Sequence, residues 1–141
     1  MAAMTEQEWR AFVLAGTRTA KIATVRRDGR PHVTPVWFVL DGPDLVFTTW
    51  HESVKARTLR ADGRAAVAVD DQQPPYSYVL LEGEARLIED AADMREWATR
   101  IGARYMGADR ADEFGSRNGV AGELLVRMRI DKVLAERDIA D

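Results

Sequence analysis

The chain has no cysteine anywhere in its 141 residues. Disulfides, iron–sulfur clusters, thiolate zinc sites and cysteine nucleophiles are therefore excluded together. Histidine is almost as scarce. His32 and His51 are too few for a histidine-based metal centre without carboxylate help, so no metal site is expected. An excess of charge of one sign is also missing. The 20 Lys and Arg against 23 Asp and Glu leave a net −3, which argues against a general nucleic-acid binder. No apolar run approaches the roughly 20 residues of a membrane span. The segment Met1 to Glu6 is too acidic and too poor in apolar residues for a signal peptide, so a cytoplasmic location is expected.

What is present is the composition of a folded domain: 46% apolar and 30% charged residues. Residues 1–141 are read as one domain, large enough for its own core. Thr5-Glu6-Gln7-Glu8 has the spacing of a capping box, and Trp9, Phe12 and Val13 continue it at helical spacing over about residues 6–15. A strand follows from Thr19 to Arg26. Asp28-Gly29 marks a hairpin turn, and a second strand runs on to Leu40. Asp41 to Asp44 turns the chain into a third strand, Leu45 to Thr49. Ser53 caps a helix over about 54–61. Strands are expected at Ala65–Val69 and Tyr76–Ile88, with a loop from Asp70 to Pro75 between them. In the longer strand Val79, Leu81, Gly83, Ala85 and Leu87 share one face, and Glu82, Glu84 and Arg86 the other. Asp90 caps the longest helix, about 91–107, whose apolar stripe is Met94, Trp97, Ala98, Ile101 and Tyr105. Residues 107–122 read as a loop with a helical turn, and Leu124–Ala135 as the last strand. The expectation is a mainly β fold with flanking helices, six antiparallel strands forming a small barrel.

Three groups of residues carry candidate chemistry. Pro31 and Pro35 bracket the first half of the second strand. Proline cannot donate to a ladder, so Pro35 belongs on an edge or at a bulge. Thr34, Pro35, Val36 and Trp37 read either as backbone and apolar walls for a planar ring, or as an edge strand with Trp37 in the core. Ser53, Lys55 and Arg57, followed by Arg60, stand at a helix start. They read either as an anion site or as a solvated charged face. Arg127 and Arg129 share one strand face. They read as holding a polyanionic tail, as pairing with acids across a dimer interface, or as surface ion pairs of little weight. Tyr76 and Tyr78 border the Pro74-Pro75 turn, either closing over a ring or packing.

Four segments in this order resemble the pyridoxamine 5′-phosphate oxidase-like split β-barrel superfamily, and its small deazaflavin (coenzyme F420)-dependent oxidoreductases in particular. They are Ala20-Lys21-Ile22-Ala23-Thr24-Val25, Asp28 to Phe38, Ser53-Val54-Lys55-Ala56-Arg57-Thr58-Leu59-Arg60, and Val126 to Ile130 with Lys132-Val133-Leu134-Ala135. The resemblance covers nearly the whole chain. It implies a six-stranded antiparallel split barrel of the FMN-binding kind and a homodimer with a cofactor at each subunit interface. It implies Val33 to Trp37 (Val33, Thr34, Pro35, Val36, Trp37) against the ring and Thr48-Thr49 near the tail. Ser53, Lys55 and Arg57 would hold the phosphate, and Tyr78 and Arg129 would reach in from the partner subunit. Flavin mononucleotide relatives tend to carry Arg and Lys in the strand matching residues 34–40. Here it is Thr34-Pro35-Val36-Trp37-Phe38-Val39-Leu40, without a basic residue.

The resemblance thus implies reduced F420 as cofactor, with FMN as the alternative. Hydride would pass to a small electron-poor acceptor such as a conjugated alkene, a quinone or a tetrapyrrole, with no firm catalytic residue. The rival expectations are an FMN- or haem-binding split barrel, and a non-catalytic deazaflavin carrier. No nucleic acid or membrane partner is expected.

Overall fold

The computed structural model describes residues 1–141. Local sequence signals account for where its elements start. Strand β1 (Ala2–Ala3) leads into helix α1 (Glu6–Leu14). The Thr5 hydroxyl accepts from the Glu8 N–H at 3.2 Å, and the Glu8 carboxylate accepts from the Thr5 N–H at 3.0 Å, the reciprocal cap its spacing predicts. Gly29, at φ 86°, turns β2 (Ala20–Val25) into β3 (Pro31–Val36). The chain continues through β4 (Val39–Asp41), β5 (Asp44–Trp50), α2 (Val54–Ala61), β6 (Arg64–Asp71), β7 (Ser77–Ile88) and α3 (Ala91–Met106). A short 3-10 turn leads to α4 (Ala111–Asn118) and then β8 (Glu123–Arg137). No helix is long and apolar enough to cross a membrane.

The strands pair antiparallel in the order β3-β2-β6-β7-β8-β5-β4, with β1 added beside β8. The sheet curls around a core that includes Ile22, Phe38, Phe47, Leu81 and Met128, all fully buried. It does not close, because β3 and β4 are its two ends. A smaller cluster of Val46, Leu125, Met94 and Trp97 seats α3 on the outside of the β5–β8 pair. Two glycines allow close approaches. A side chain at Gly83 would strike the Arg129 carbonyl oxygen beside the bulge where β7 meets β8. At Gly102 it would lie 2.7 Å from the Phe114 Cβ, where α4 packs on α3.

The mainly β, antiparallel split-barrel architecture is the one expected, but the strand count differs. Eight strands stand where six were read. One addition is β1. The other arises because the strand expected to run unbroken to Leu40 divides at Trp37-Phe38. The Phe38 side chain is fully buried, yet neither of its backbone groups is bonded to a strand. Its N–H donates to the Tyr105 hydroxyl at 3.1 Å, and its carbonyl accepts from Arg104 Nη1 at 2.6 Å. The same guanidinium donates to the carbonyls of Val13 and Arg18 at 2.8 and 3.2 Å, and the Tyr105 hydroxyl donates to the Arg18 carbonyl at 2.7 Å. Side chains of α3 thus complete the backbone bonding that a neighbouring strand would otherwise supply. Residues 107–122 also differ from the expected loop, since Phe114 is buried against α3 and stabilises a two-turn helix.

Removing the Tyr105 hydroxyl isolates the Phe38 N–H while leaving the ring in place. Tyr105→Phe is therefore expected to lower unfolding free energy by about 1–3 kcal/mol, the cost of an unmet buried donor. Urea unfolding measures it, and an unchanged midpoint would contradict the role given to this bond.

Candidate functional site

The break at Trp37-Phe38 opens a cleft of about 340 Å³ between the barrel and its helices. One wall is Pro35, Val36 and Trp37, where β3 ends. Thr48, Thr49 and Trp50 of β5 form the floor. Ser53 and Lys55 enter from α2, Ala98 and Ile101 from α3, Asn118 from α4, and Glu123 from the start of β8. The Trp37 ring lies stacked on Tyr105, centroids 5.0 Å apart and 4° from parallel, so its orientation is fixed by α3.

Helix α2 begins at the cleft because Ser53 caps it. The Ser53 hydroxyl accepts from the Ala56 N–H at 3.1 Å and shares a 2.7 Å hydrogen bond with the buried Thr49 hydroxyl. The Val54 and Lys55 amides of the first turn have no backbone partner, the ordinary condition of a helix start. Lys55 is half-buried, and its ammonium makes no hydrogen bond and no ion pair within 4.0 Å. Burial holds this amine below its usual range, and only the carboxylate of Glu123 pulls it back. Burial likewise pushes the Glu123 carboxyl up, opposed by Lys55 and His51.

The edge of β3 adds backbone groups. Arg26 N–H donates to the Arg30 carbonyl at 2.9 Å, closing the β2–β3 hairpin. Antiparallel alternation from that pair turns His32, Thr34 and Val36 toward β2, and leaves the backbone of Pro31, Val33 and Pro35 facing the free edge. The two prolines lack a donor, so the Val33 N–H is the amide that this stretch presents outward.

Of the residues singled out in the sequence, Pro35, Val36, Trp37, Thr48, Thr49, Ser53 and Lys55 converge on the cleft. Val33 and Thr34 lie one turn of pleat upstream. The Val33 side chain is exposed on the outer sheet face, and Thr34 is half-buried. Arg57 and Arg60 do not enter the cleft. Their guanidinia donate to the carbonyls of Glu52 and His51 at 3.0 and 3.1 Å, and with Arg27 they line a separate basic groove. The helical turn carries these side chains away from the side that Lys55 occupies. Tyr78 lies on β7, opposite Asp70 and Glu136. Arg129 is exposed, 3.8 Å from Asp131. Arg127 is committed within the chain. It bridges Asp41 and Asp44 at 2.9 and 3.2 Å, with Trp97 over its guanidinium, so it is neither free for a ligand nor a loose surface pair.

Several cleft residues escaped sequence reading: Trp50, Ala98, Ile101, Asn118 and Glu123, together with Arg104 and Tyr105 behind Trp37. Ala98, Ile101 and Tyr105 gave only a helical apolar stripe, which does not say which barrel face it meets. Glu123 gave one available signal, an acid directly before the apolar run Leu124-Leu125-Val126.

A family model described as pyridoxamine 5′-phosphate oxidase matches residues 5–135. The chain belongs to the pyridoxamine 5′-phosphate oxidase family. Among its relatives, an F420H2-dependent biliverdin reductase of Mycobacterium tuberculosis (strain CDC 1551 / Oshkosh) is 26% identical over 128 residues, 91% of this chain and 86% of that protein. The crystal structure of a conserved hypothetical protein from Mycobacterium tuberculosis superposes with a TM-score of 0.84 at 26% identity, covering 98% of this chain and 89% of the other. A structure described as an F420 reductase gives a TM-score of 0.68 at 27% identity, covering 87% and 94%. The resemblance to the F420-dependent branch of this superfamily is thus met by relatives that carry that description.

His32 lies on β3 upstream of the cleft. Its Nδ1 is buried without a partner. Burial first, then the Arg26 guanidinium and the Lys55 ammonium, hold its imidazole below the ordinary 6.5. The folded state resists protonating this ring. Its share of stability is therefore whole above about pH 6.5 and is lost as pH falls through the lowered folded value. NMR titration is expected to show His32 below the ordinary value and to show Lys55→Met raising it. No movement in the variant would place the ammonium elsewhere.

Proposed function

We propose that this chain is an F420H2-dependent reductase that binds a deazaflavin in the cleft and delivers hydride to a small, conjugated, electron-poor acceptor. The observation that carries the reading is the unpaired, half-buried Lys55 ammonium beside a capped helix start, in a slot that also offers the apolar surfaces of Pro35, Val36, Trp37, Ala98 and Ile101. Those residues fit such a cofactor. Trp37, Ala98 and Ile101 give apolar walls for a flat ring, the β3 edge gives the Val33 amide to read the ring's rim, and Lys55 with Ser53 gives an anchor for a phosphate. The two relatives described as F420-dependent or F420 reductases support this cofactor over FMN, and the biliverdin reductase supports a tetrapyrrole among the acceptors.

The bound deazaflavin supplies the hydride from its ring carbon C5. The chain's own residues do the positioning. Tyr105 and Arg104 hold the Trp37-Phe38 break so that Trp37 stays against the slot. Ser53 fixes the start of α2, and Lys55 anchors the charged end. Burial pushes the Tyr105 hydroxyl up, which keeps it a protonated donor to the Arg18 carbonyl.

A homodimer with the cofactor at the interface is part of this proposal. The outer sheet face carries Ala23, Val33, Ala66, Ala68, Leu80 and Leu134 around a shallow apolar depression. Val33 and Pro35, two residues apart, share one face of β3, and Val33 lines that depression while Pro35 lines the cleft. A second copy seated on the face would therefore border the cleft, where Tyr78 and Arg129 of the partner subunit would be its neighbours. Leu80→Arg is expected to shift the protein from dimer to monomer in light scattering. A dimer of unchanged mass would remove this face from the interface.

Fluorescence titration with F420 tests the cofactor site. Lys55→Ala removes a charge-assisted contact and is expected to weaken binding by about 1.5–3 kcal/mol, roughly 10- to 150-fold. Arg57→Ala, whose guanidinium is engaged outside the cleft, is expected to change affinity by less than about threefold, as exposed charges do. Equal losses in both variants, or none in Lys55→Ala, would refute this assignment, and F420 turnover on no acceptor would favour the carrier reading.

A further inference from the structure

Among the residues that line the cleft, Lys55 and Glu123 are the two that carry charge. Their signs cancel, so the slot is close to neutral where the anionic end of a cofactor belongs. Glu123 is half-buried, and its carboxylate makes no hydrogen bond and no ion pair within 4.0 Å. It is therefore no fixed structural acid like Asp44, which is clamped by Arg86 at 2.9 Å and by Arg127 at 3.2 Å. Lys55 and Arg60 face Glu123 from α2, and His51 from the turn before it. Glu89 and Asp90 come from the turn between β7 and α3. Arg60 is held by the His51 carbonyl, and the His51 Nδ1–H donates to the Gly122 carbonyl at 3.0 Å. Neither supplies a counter-charge bonded to Glu123, and Glu89 and Asp90 add negative charge on its far side.

We propose that Glu123 is a specificity-determining residue that sets how much negative charge the cleft accepts. It offsets Lys55 and repels each negative unit that enters, so a doubly charged phosphomonoester is disfavoured relative to a singly charged phosphodiester. The proposal rests on the cofactor site described above and deepens it. A phosphodiester carries a single charge at neutral pH, whereas a phosphomonoester carries about −1.5 to −2 because its second proton leaves near pH 6. The deazaflavin F420 has a diester at this position and FMN has a monoester. At the effective dielectric of about 20 that suits a partly buried site, one added like charge costs roughly tenfold in affinity at about 12 Å and more as it comes closer. The upward push of burial on the Glu123 carboxyl supports the same picture, since an approaching dianion would drive it to take up a proton.

The test titrates the full-length wild type, Glu123→Gln and Glu123→Ala with F420, FMN and riboflavin at neutral pH. The ratio of the FMN to the F420 dissociation constant is expected to fall by at least about tenfold in both variants, while riboflavin, which has no phosphate, moves by less than about twofold. The two neutral side chains differ in size, so agreement between them separates charge from shape. An unchanged ratio overturns the proposal, as does a riboflavin shift as large as that of FMN, or a fall in Glu123→Ala alone. Wild type that binds no F420 would overturn the functional reading and this one with it, and that result is visible before any variant is made.

Discussion

The backbone of Phe38 is the constraint on which the rest of this structure depends. A strand heading for Leu40 would normally continue its ladder, but here the N–H and the carbonyl of one residue are taken by two side chains of α3. Tyr105 and Arg104 are adjacent in sequence and divide the work. The phenol bridges Phe38 to Arg18, and the guanidinium gathers carbonyls from α1, the following turn and the break itself. Loss of the ladder is therefore not a loss of backbone bonding, and the sheet can stay open without buried unmet groups at this point. Opening the sheet exposes Trp37, and the docking of α3 that completes the bonding also brings Ala98 and Ile101 to the opposite wall. Fold and cleft thus share one cause.

Charge is distributed in two styles. Arg127 is clamped by two acids and an aromatic ring, and Arg64 lies 2.6 Å from Asp62. These cations have partners and add nothing that a ligand could use. Lys55 and Glu123 sit in one cleft without bonding each other or anything else, each shifted by burial in the direction that disfavours its charge. An ionised pair left unsatisfied in a protein of the pyridoxamine 5′-phosphate oxidase family is costly to hold in the folded state. A bound group that satisfies the ammonium would recover part of that cost.

Much of the architecture was legible because its signals are local. The Thr5–Glu8 cap, the Asp28-Gly29 turn and the inward alternation Val79, Leu81 in β7 need only neighbours in sequence, and each is where its spacing predicts. Pro35 read as belonging on an edge or at a bulge, and β3 is an end strand of the sheet. The break at Phe38 was not legible, because it is produced by residues more than 60 positions downstream, and Arg104 in a helix reads as a surface cation. Residues 107–122 looked like a loop with a helical turn since they are rich in glycine, aspartate and arginine, and the helix there depends on Phe114 finding Gly102. The candidate site divided along the same line. Ser53 and Lys55 follow from a helix cap and one helical turn, whereas Arg57 and Arg60, on the same short helix, point to another groove, and periodicity alone does not fix which side faces the barrel. Glu123 escaped because only the β5–β8 pairing brings it across from Lys55.

The exposed margin of β3 has a further consequence. An open sheet end with a full row of amides would recruit any passing extended chain, and such margins are where folded proteins stick together. Here two imino acids blank out alternate outward positions and leave a single donor at Val33 between them. One hydrogen bond cannot zip up an invading strand, whose grip depends on a repeating series. A rigid ring needs no series, since a lone amide at the right height can engage its rim. The same pair of prolines thus blunts this margin against strand addition and, under the proposed function, leaves one amide for the rim of a flat ring.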